Sequence, residues 1–201
     1  IDDNLKEVIE SYYKTIYPNQ EVRDYMWYND SLSINGEQLT QSIIIHTGSG
    51  LVCTDGRYQI KCQKGSATTS AEWGVCMRRY SSGNHIQVNV KIDGAGTKTL
   101  RIDKVVAGVE TNLVNTSIAS LATTFWVVGR MEGNYAYAEY WSTPPKRLGA
   151  ADVSTSVLVT DVLFEAGVEG YGGIHVKWNS VTSSIDEWVA EPISYSLTTP
   201  A

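Results

Sequence analysis

The chain has 201 residues, 42% of them hydrophobic, and 16 Lys and Arg against 22 Asp and Glu give a formal net charge of −6. This length and apolar fraction suit one medium-sized domain with a real core. The acidic excess would repel a phosphate backbone, and no apolar run reaches the roughly 18 residues that span a bilayer. We therefore expect neither nucleic-acid binding nor membrane insertion.

The first segment, residues 1–18, has the pattern of a short amphipathic helix. Asp2, Asp3 or Asn4 can cap its start, and Pro18 ends it. Its apolar positions recur at helical spacing and are Leu5, Val8, Ile9, Tyr12, Tyr13 and Ile16. This apolar face must be buried against the rest of the chain or against another subunit. Because the chain opens on Ile1 rather than Met, we expect a processed product, an excised domain or a chain whose preceding residues are missing.

From about Leu32 onward, apolar and polar residues alternate with a period of two, with glycine and polar turns between them. The Asp-Gly pair in "LVCTDGRYQIKC" predicts a hairpin, and so do "SSG", "DGAGTK", "AGV" and "EGN" between later strands. Ile86, Val88, Val90 and Ile92 should share one face of a strand. About a dozen such strands predict an all-β, two-sheet antiparallel sandwich or jelly roll over residues 19–201.

The three cysteines, Cys53, Cys62 and Cys76, leave at least one thiol unpaired within the chain. If residues 57–63 and 71–80 formed a hairpin around "KGSATTS", Cys62 and Cys76 would lie nearly opposite each other. A disulfide there is one interpretation. Buried free thiols acting as small apolar residues are the other, which we favour.

Five segments between Ala71 and Ala190 resemble, in order, the strands of the laminin G-like, concanavalin A-like lectin jelly roll. They are "WGVCMRRYSSGNHIQVNV", "KTLRIDKVVAGVETNLV", "FWVVGRMEGNYAYAEYW", "YGGIHV" and "SSIDEWVAEP". The most legible positions are Arg79, Asn84, Gly133, Trp141, Pro144 and Gly173. Domains of this kind occur in phage minor tail and other virion proteins, in adhesins and in secreted carbohydrate-active enzymes. The resemblance therefore implies attachment, often to a glycan, at a virion surface or outside the cell.

The segment "NYAYAEYW" concentrates the aromatic candidates for a binding site. Tyr135, Tyr137, Glu139 and Trp141 should face one way, and Ala136, Ala138 and Tyr140 should face the other. We expect the alanines to press against the opposing sheet and the Tyr/Glu/Trp side to be exposed, because a buried Glu139 would need a partner. Exposed rings could stack on sugars or anchor a subunit interface, and packing at the sheet surface is the third interpretation.

Polar residues on the central strands form a second group of candidates. If the strands are neighbours, Arg78, Gln87, Asn89, Arg101 and Arg130 would bind hydroxyls or a carboxylate-bearing sugar. The alternative is a solvated sheet face with cross-strand pairs such as Arg101 with Glu139. The predicted ligand-binding residues are thus Tyr137, Glu139, Trp141, Arg78, Asn89, Arg101 and Arg130.

Catalytic and metal sites have little support in the sequence. The laminarinase-type Glu-x-Asp-x-x-Glu pattern is absent, and the three histidines lie apart from any nucleophile motif. Calcium could use Asp55 or Asp93, although both suit hairpin turns better, so we expect no cofactor. No Cys/His spacing resembles a zinc site.

The interpretation that follows is a non-enzymatic attachment module, on a virion or extracellular assembly, that recognises a cell-surface glycan. The first alternative is a structural virion subunit, such as a capsid decoration or minor tail protein. Its exposed aromatics would contact other subunits, and a homo-oligomer is expected. The second alternative is a polysaccharide-degrading enzyme.

Overall fold

The computed structural model describes residues 39–45, 52–53, 55–81, 83–146, 149–164, 170–178 and 183–192. The helix predicted at residues 1–18 lies outside these ranges. The described residues form twelve strands and one 3-10 helix. These are β1 (Leu39–Ile45), β2 (Val52–Cys53), β3 (Gly56–Gln63), β4 (Ala71–Ser81), β5 (Asn84–Ile92), β6 (Lys98–Val106), β7 (Val109–Ser117), β8 (Thr124–Glu132), β9 (Tyr135–Trp141), β10 (Val153–Leu158), the 3-10 helix (Val162–Phe164), β11 (Gly170–Trp178) and β12 (Ser184–Pro192).

The strands form two antiparallel sheets. One has seven strands in the order β1-β11-β4-β5-β6-β7, with β2 also paired to β11, and the other has five in the order β10-β9-β8-β3-β12. The predicted all-β, two-sheet jelly-roll sandwich is confirmed. Among the described residues, no helix is long and apolar enough to cross a bilayer.

The local turns predict strand pairing well where consecutive strands share a sheet. The turns "SSG", "DGAGTK" and "AGV" join β4 to β7 as a meander, and "EGN" joins β8 to β9, as predicted. The Asp55-Gly56 prediction is wrong. The Asp-Gly pair was expected to close a hairpin, but it lies between β2 of the seven-stranded sheet and β3 of the five-stranded sheet. The chain crosses from one sheet to the other there.

The hairpin considered around "KGSATTS" does not form, and the favoured interpretation of Cys62 and Cys76 as buried thiols agrees with the structure. Strand β3 pairs with β8 and β12, whereas β4 pairs with β5 and β11. Cys62 and Cys76 are therefore on different sheets, and both are buried with no disulfide between them. Burial raises the pKa of the Cys76 thiol to about 12, which keeps it an unreactive, neutral group at physiological pH.

The core lies between the inner faces of the two sheets. Ile86, Val88, Val90 and Ile92 all point into it, as predicted, and the ring of Trp73 meets Phe125 edge-on at 5.5 Å between centroids. The sheets approach closely at Gly129, where an added Cβ would lie 2.5 Å from a methyl group of Val75. The side chains that point away from this core, on the outer faces of the two sheets, are the candidates for a binding site.

Candidate functional site

Strand β9 divides its side chains between the two faces as the sequence predicts. Ala136, Ala138 and Tyr140 belong to the core, while Tyr135, Tyr137, Glu139 and Trp141 lie on the outer face of the five-stranded sheet. The small alanines admit the opposing sheet, because their side chains end at Cβ. How far the four outward side chains are exposed then depends on the residues beside them on the same outer face.

Trp141 is buried, so the prediction that its ring is exposed is wrong. Only 6% of its surface is accessible, because it packs on Trp126 and Val128 of the neighbouring strand and on Ala151. Its indole Nε1 donates a hydrogen bond to Glu139 Oε2 at 2.9 Å. Glu139 thus supports a small second apolar cluster, and neither residue forms an open stacking surface.

Tyr137 and Arg130 contact each other on the same outer face. The two residues are register partners, and the guanidinium carbon of Arg130 lies 4.3 Å from the centroid of the Tyr137 ring. Arg130 also forms an ion pair with Glu132 at 2.7 Å. One side of the half-buried Tyr137 ring is therefore occupied by a cation, and Tyr135, 48% exposed, is the more accessible ring.

Arg78 is buried and does not lie beside the other polar candidates of the central strands. It has a left-handed backbone (φ 47°) at an irregular point of β4, and only 1% of its side chain is accessible. Its guanidinium donates to the carbonyls of Phe164 and Gly133 and, at 2.8 Å, to Asp55 Oδ1. Arg78 joins the connections at one end of the sandwich.

The two carboxylates considered for calcium are both engaged within the chain. Asp55 Oδ1 accepts from Arg78 and from the backbone N–H of Gly133 at 3.0 Å. Asp93 Oδ1 accepts from the backbone N–H of Thr97 and from that of Ala95, and these bonds hold the pKa of Asp93 below its usual value and close the β5–β6 turn. No group of three or more His, Cys, Asp or Glu side chains suited to a metal ion occurs in the described part of the chain.

Polar side chains instead gather on the outer face of the seven-stranded sheet, which we call the polar face. It is carried by β11, β4, β5, β6 and β7. Because adjacent strands place register partners side by side, alternate residues on each strand meet in rows across the sheet. Its polar members include Glu72, His85, Gln87, Asn89, Lys91, Arg101, Asp103, Glu110, Asn112, Asn115, His175 and Lys177.

Asp103 is the centre of the polar face. Its carboxylate is fully buried and accepts from Arg101 Nη2 at 2.6 Å, from Asn112 Nδ2 at 2.8 Å and from Asn89 Nδ2 at 3.0 Å. Three donors on three strands are thus oriented by one carboxylate. Charge-assisted bonds of this kind are stronger than neutral ones and fix side-chain geometry.

Glu110 extends this network to the exposed edge of the sheet. It accepts from Arg101 Nη2 at 3.1 Å and from Gln87 Nε2 at 3.1 Å, and Gln87 in turn contacts His85 Nε2 at 3.2 Å. Burial lowers the pKa of His85 to about 4, although the Gln87 contact partly opposes the shift. His85 is therefore neutral at physiological pH.

On the other side of the polar face, Glu72 binds two partners. Its carboxylate lies 2.7 Å from Lys91 Nζ and 3.0 Å from His175 Nε2. Burial alone would raise the pKa of Glu72, but the bonds from His175 and Lys91 outweigh it and lower the pKa to about 2. Between His175 and Asn89 the row holds Gly74, where an added Cβ would lie 2.2 Å from the carbonyl oxygen of Val88.

Accessibility increases across the polar face from β5 to β7. Asn89 and Asp103 are buried, Arg101 is 14% exposed, Glu110 is 37% exposed, and Asn112 and Asn115 are exposed. Four buried atoms of the polar face have no hydrogen-bond partner, namely Asn89 Oδ1, Arg101 Nε, His85 Nδ1 and His175 Nδ1. On the other outer face, Arg130 Nε is likewise buried and without a partner. An exposed margin thus adjoins a centre whose hydrogen-bonding capacity is not used up by the described residues.

The structure brings together only part of the predicted site. Asn89 and Arg101 are register partners, joined through Asp103, whereas Arg130, Tyr137, Glu139 and Trp141 lie on the opposite outer face. The predicted pairing of Arg101 with Glu139 is wrong, because the two residues are on different sheets.

Asp103, Glu110 and Asn112 are among the residues of the polar face that were missing from the sequence prediction. The period of two in β6 places Asp103 beside Arg101, so alternation alone could have found it. Asn112 could not be found this way, because the register between β6 and β7 shifts at Ile102/Asp103.

No protein-family model matches the sequence, and no curated protein matches it. Solved structures do match. The carbohydrate-binding module CBM66 from Bacillus subtilis is 15% identical with a TM-score of 0.54, over 77% of this chain and 84% of that one. A toad ovary galectin in complex with thio-digalactose is 9% identical with a TM-score of 0.51, over 76% of this chain and 99% of that one. The chain therefore shares the two-sheet jelly-roll fold of this carbohydrate-binding module and this galectin. At these identities the likeness concerns the fold alone.

Proposed function

We propose that this lectin-type jelly roll is a non-enzymatic module that binds carbohydrate through its polar face. The observation that carries the proposal is the network around Asp103. One buried carboxylate orients Arg101, Asn112 and Asn89, and the adjoining margin with Glu110 and Asn115 is open to solvent. The fold shared with a carbohydrate-binding module and a galectin supports the same interpretation by analogy.

The chemistry of these side chains suits sugar hydroxyls. A hydroxyl both donates and accepts, and the face offers carboxylate and amide oxygens as acceptors and guanidinium and amide N–H groups as donors. The side chains are held by each other before a ligand arrives, so little rotamer entropy is lost on binding. The carboxylates Asp103 and Glu110 both bind Arg101, which favours a positioning role over acid–base chemistry.

The proposed setting is a protein on a virion surface or outside the cell, with a cell-surface glycan as the ligand. The support is the resemblance of the ordered strand segments to jelly-roll domains of virion and adhesion proteins. A displayed recognition domain needs a rigid scaffold with its ligand groups on an outer face, and β5–β7 supply one.

The test compares two arginines, one on each outer face. The intact chain is screened against immobilised neutral polysaccharides and a glycan array, and the dissociation constant is measured for the polymers that bind. We expect Arg101→Ala to weaken binding at least about tenfold, as loss of a charged hydrogen-bonding partner does. Arg130→Ala, on the other face, should bind as the wild type does.

Two further measurements keep this test decisive. Thermal unfolding reports whether Arg101→Ala folds, and Asn115→Ala, an exposed neighbour in register with Arg101, replaces it if it does not. Binding that is lost in Arg130→Ala and retained in both polar-face variants would move the site to the five-stranded sheet. Failure of every saccharide to bind would overturn the proposal.

A second candidate function, a structural subunit that contacts further copies or other virion subunits, is favoured by one observation. Tyr135 and Leu158 are register partners on the outer face of the five-stranded sheet, and they are 48% and 47% exposed. Light scattering distinguishes the candidates. If the wild-type chain is an oligomer and the Leu158→Asp variant is a monomer, the structural role is supported. If the wild-type chain is itself a monomer, that role is contradicted.

A further inference from the structure

Strand β10 forms one edge of the five-stranded sheet in the part of the chain that the structure describes. Its side chains alternate between half-buried and exposed. Val153, Thr155 and Val157 are half-buried and turned towards the core, and the two valines pack at its margin. Ser154 and Ser156 are exposed beside the outward residues of β9. The core therefore ends at β10 with apolar side chains that are only partly covered.

The hydrogen bonds of the β9–β10 ladder show which backbone groups of β10 point to the open edge. Directly after the strand, Val159 donates its N–H to the carbonyl of Asn134 at 2.8 Å, in register with the strand pairs before it. Bonded residues recur at every second position of an antiparallel ladder, so the odd-numbered residues of β10 bond to β9. The N–H and C=O groups of Ser154 and Ser156 therefore point away from β9.

Edge strands normally carry features that prevent pairing with another chain, such as charged residues, proline or a bulge. The β10 segment "VSTSVL" has no charged residue and no proline, and its pairing with β9 runs without a register shift. The edge strand β7, which packs beside β10 in the other sheet, differs. It carries Glu110, and its register shifts at Ile102/Asp103. Of these two neighbouring edges, β10 is the one suited to accept a further strand.

The sequence of β10 suits a second copy of itself. Residues 153–157, "VSTSV", read the same in both directions. In an antiparallel pair about a two-fold axis through Thr155, Val153 lies opposite Val157 of the partner subunit, and Ser154 lies opposite Ser156 of the partner subunit. Half-buried residues then meet half-buried ones, the open backbone groups of the serines face each other, and no charge is opposed. Cross-strand β-branched and Thr–Thr pairs are favourable, and a two-fold interface joins identical surfaces.

We infer that the chain forms a two-fold dimer in which β10 pairs antiparallel with β10 of a second copy, so that the two five-stranded sheets become one continuous sheet. This dimer specifies a partner and a contact edge that neither candidate function specifies, and it does not depend on saccharide binding. Val153 and Val157 lose exposure in it, and the backbone groups of Ser154 and Ser156 gain partners.

The first test uses a proline that blocks the edge without disturbing β9. Ser156→Pro removes an N–H that points away from β9, so the ladder within the chain stays intact. We expect the full wild-type chain to sediment at twice its mass of 22.1 kDa. Ser156→Pro should raise the dimer dissociation constant at least about tenfold, because each copy loses a hydrogen bond to the other. The matched control, Ser156→Ala, keeps the N–H and should dimerise as the wild type does. A wild-type chain that is monomeric at its highest soluble concentration would overturn the inference.

Two further variants keep this test decisive. If thermal unfolding shows that Ser156→Pro does not fold, Ser156→Lys replaces it, because an edge lysine opposes pairing with another chain. Tyr135→Ala changes an exposed ring on the outer face and leaves the β10 edge unaltered, so it should still dimerise. A dimer that is lost in Tyr135→Ala and retained in the Ser156 variants would move the contact to the outer face, against the inference.

Disulfide cross-linking reports the register of the two strands. Thr155→Cys places two thiols directly opposite each other, with Cα atoms about 4.5–5.5 Å apart, which a disulfide can span. Ser154→Cys is the control, because its two copies would be diagonal neighbours at roughly 7–8 Å, beyond that span. With diamide as the oxidant, Thr155→Cys should give a covalent dimer on a non-reducing gel, and Ser154→Cys and the wild type should not. Equal cross-linking of both variants would contradict the pairing about Thr155.

The dimer has a consequence for saccharide binding, which rests on the proposed function. Half-buried residues of the two β10 strands lie side by side, so both polar faces turn to the same side of the dimer. Two linked sites bind a dense polymer by avidity. Affinity for a densely immobilised polysaccharide should therefore fall at least about tenfold in Ser156→Pro, and equal affinity would contradict this shared orientation. A dimer that binds no saccharide would leave the inference standing while the proposed function fails.

Discussion

The two outer faces of the sandwich use their large side chains in opposite ways. On the five-stranded sheet, Trp126 and Trp141 cover each other, and Arg130 covers Tyr137. On the seven-stranded sheet, side chains around Asp103 are linked by hydrogen bonds, yet four buried polar atoms there remain unpaired. The aromatic side chains cover one another, whereas several buried polar atoms around Asp103 lack a hydrogen-bond partner, as Arg130 Nε does on the five-stranded sheet.

This difference shows that residue type alone is a poor guide to a binding surface. Aromatic residues at an exposed position favour stacking on ligands, but the same rings are buried when two of them are neighbours on adjacent strands. Polar groups buried with unused hydrogen bonds are energetically costly. The accessible polar residues beside them, Glu110 and Asn115, are the stronger indication of a ligand-binding surface.

The largest expected effect is a loss of stability when the aromatic cluster on the five-stranded sheet is disrupted. Trp141→Ala should lower the free energy of unfolding by about 3–5 kcal/mol, because it removes a buried ring and leaves a cavity beside Trp126. Denaturant unfolding measures this loss, and the exposed Tyr135→Ala serves as the control, with a change within about 0.5 kcal/mol. Saccharide affinity of the folded fraction should be unchanged. A stable variant that cannot bind sugar would restore Trp141 as a ligand-binding residue.

The next largest effect is a loss of stability in acid that comes from two buried residues of the polar face, His85 and Glu72. The pKa of His85 falls to about 4 in the folded chain from an ordinary 6.5, so the unfolded chain binds a proton first and stability declines between pH 6.5 and 4. The pKa of Glu72 falls to about 2 from 4.5, so its contribution is present above pH 4.5 and is lost towards pH 2. Each step is worth up to about 3 kcal/mol.

Denaturant unfolding at a series of pH values measures both steps. His85→Gln should remove the step between pH 6.5 and 4 and leave the lower one, and Glu72→Gln should do the reverse. An unfolding free energy that stays constant from pH 7 to 4 in the wild type would contradict the burial of a neutral His85.

The smallest effect concerns the contact between Arg130 and Tyr137. Arg130→Leu should cost about 0.5–1 kcal/mol, because a cation over a ring at a partly exposed site contributes little and the ion pair with Glu132 is at the surface. A double-mutant cycle with Tyr137→Leu isolates the contact. Zero coupling energy would mean that the Tyr137 ring is free to contact a ligand.

Much of the architecture could be predicted because it depends on neighbours in the chain. Short turns join β4 to β7 and β8 to β9, so turn chemistry and alternation together determine the pairing and the inward residues. The Asp55-Gly56 turn misled the prediction, because its carboxylate binds Arg78 and Gly133 from distant segments. Nothing local to "TDGR" indicates those partners.

Only part of the candidate site could be predicted, because it too depends on which strands are neighbours. Alternation places Asn89 and Arg101 on outward faces but does not reveal which strands share a sheet, so residues of both outer faces were grouped into one patch. It also does not reveal lateral neighbours, and Trp141 was expected to be exposed because Trp126 was not known to lie beside it.

By itself, the amino-acid sequence determined the all-β class, the inward and outward sides of most strands, and the hairpins between consecutive strands, since these follow from a period of two and from turn chemistry. The tertiary structure alone decided that Trp141 is sealed, that Arg78 joins the connections at one end, and that Asp103 gathers Arg101, Asn112 and Asn89. Those outcomes depend on which strands pair across long stretches of chain, and that pairing is set by the packing of the whole core.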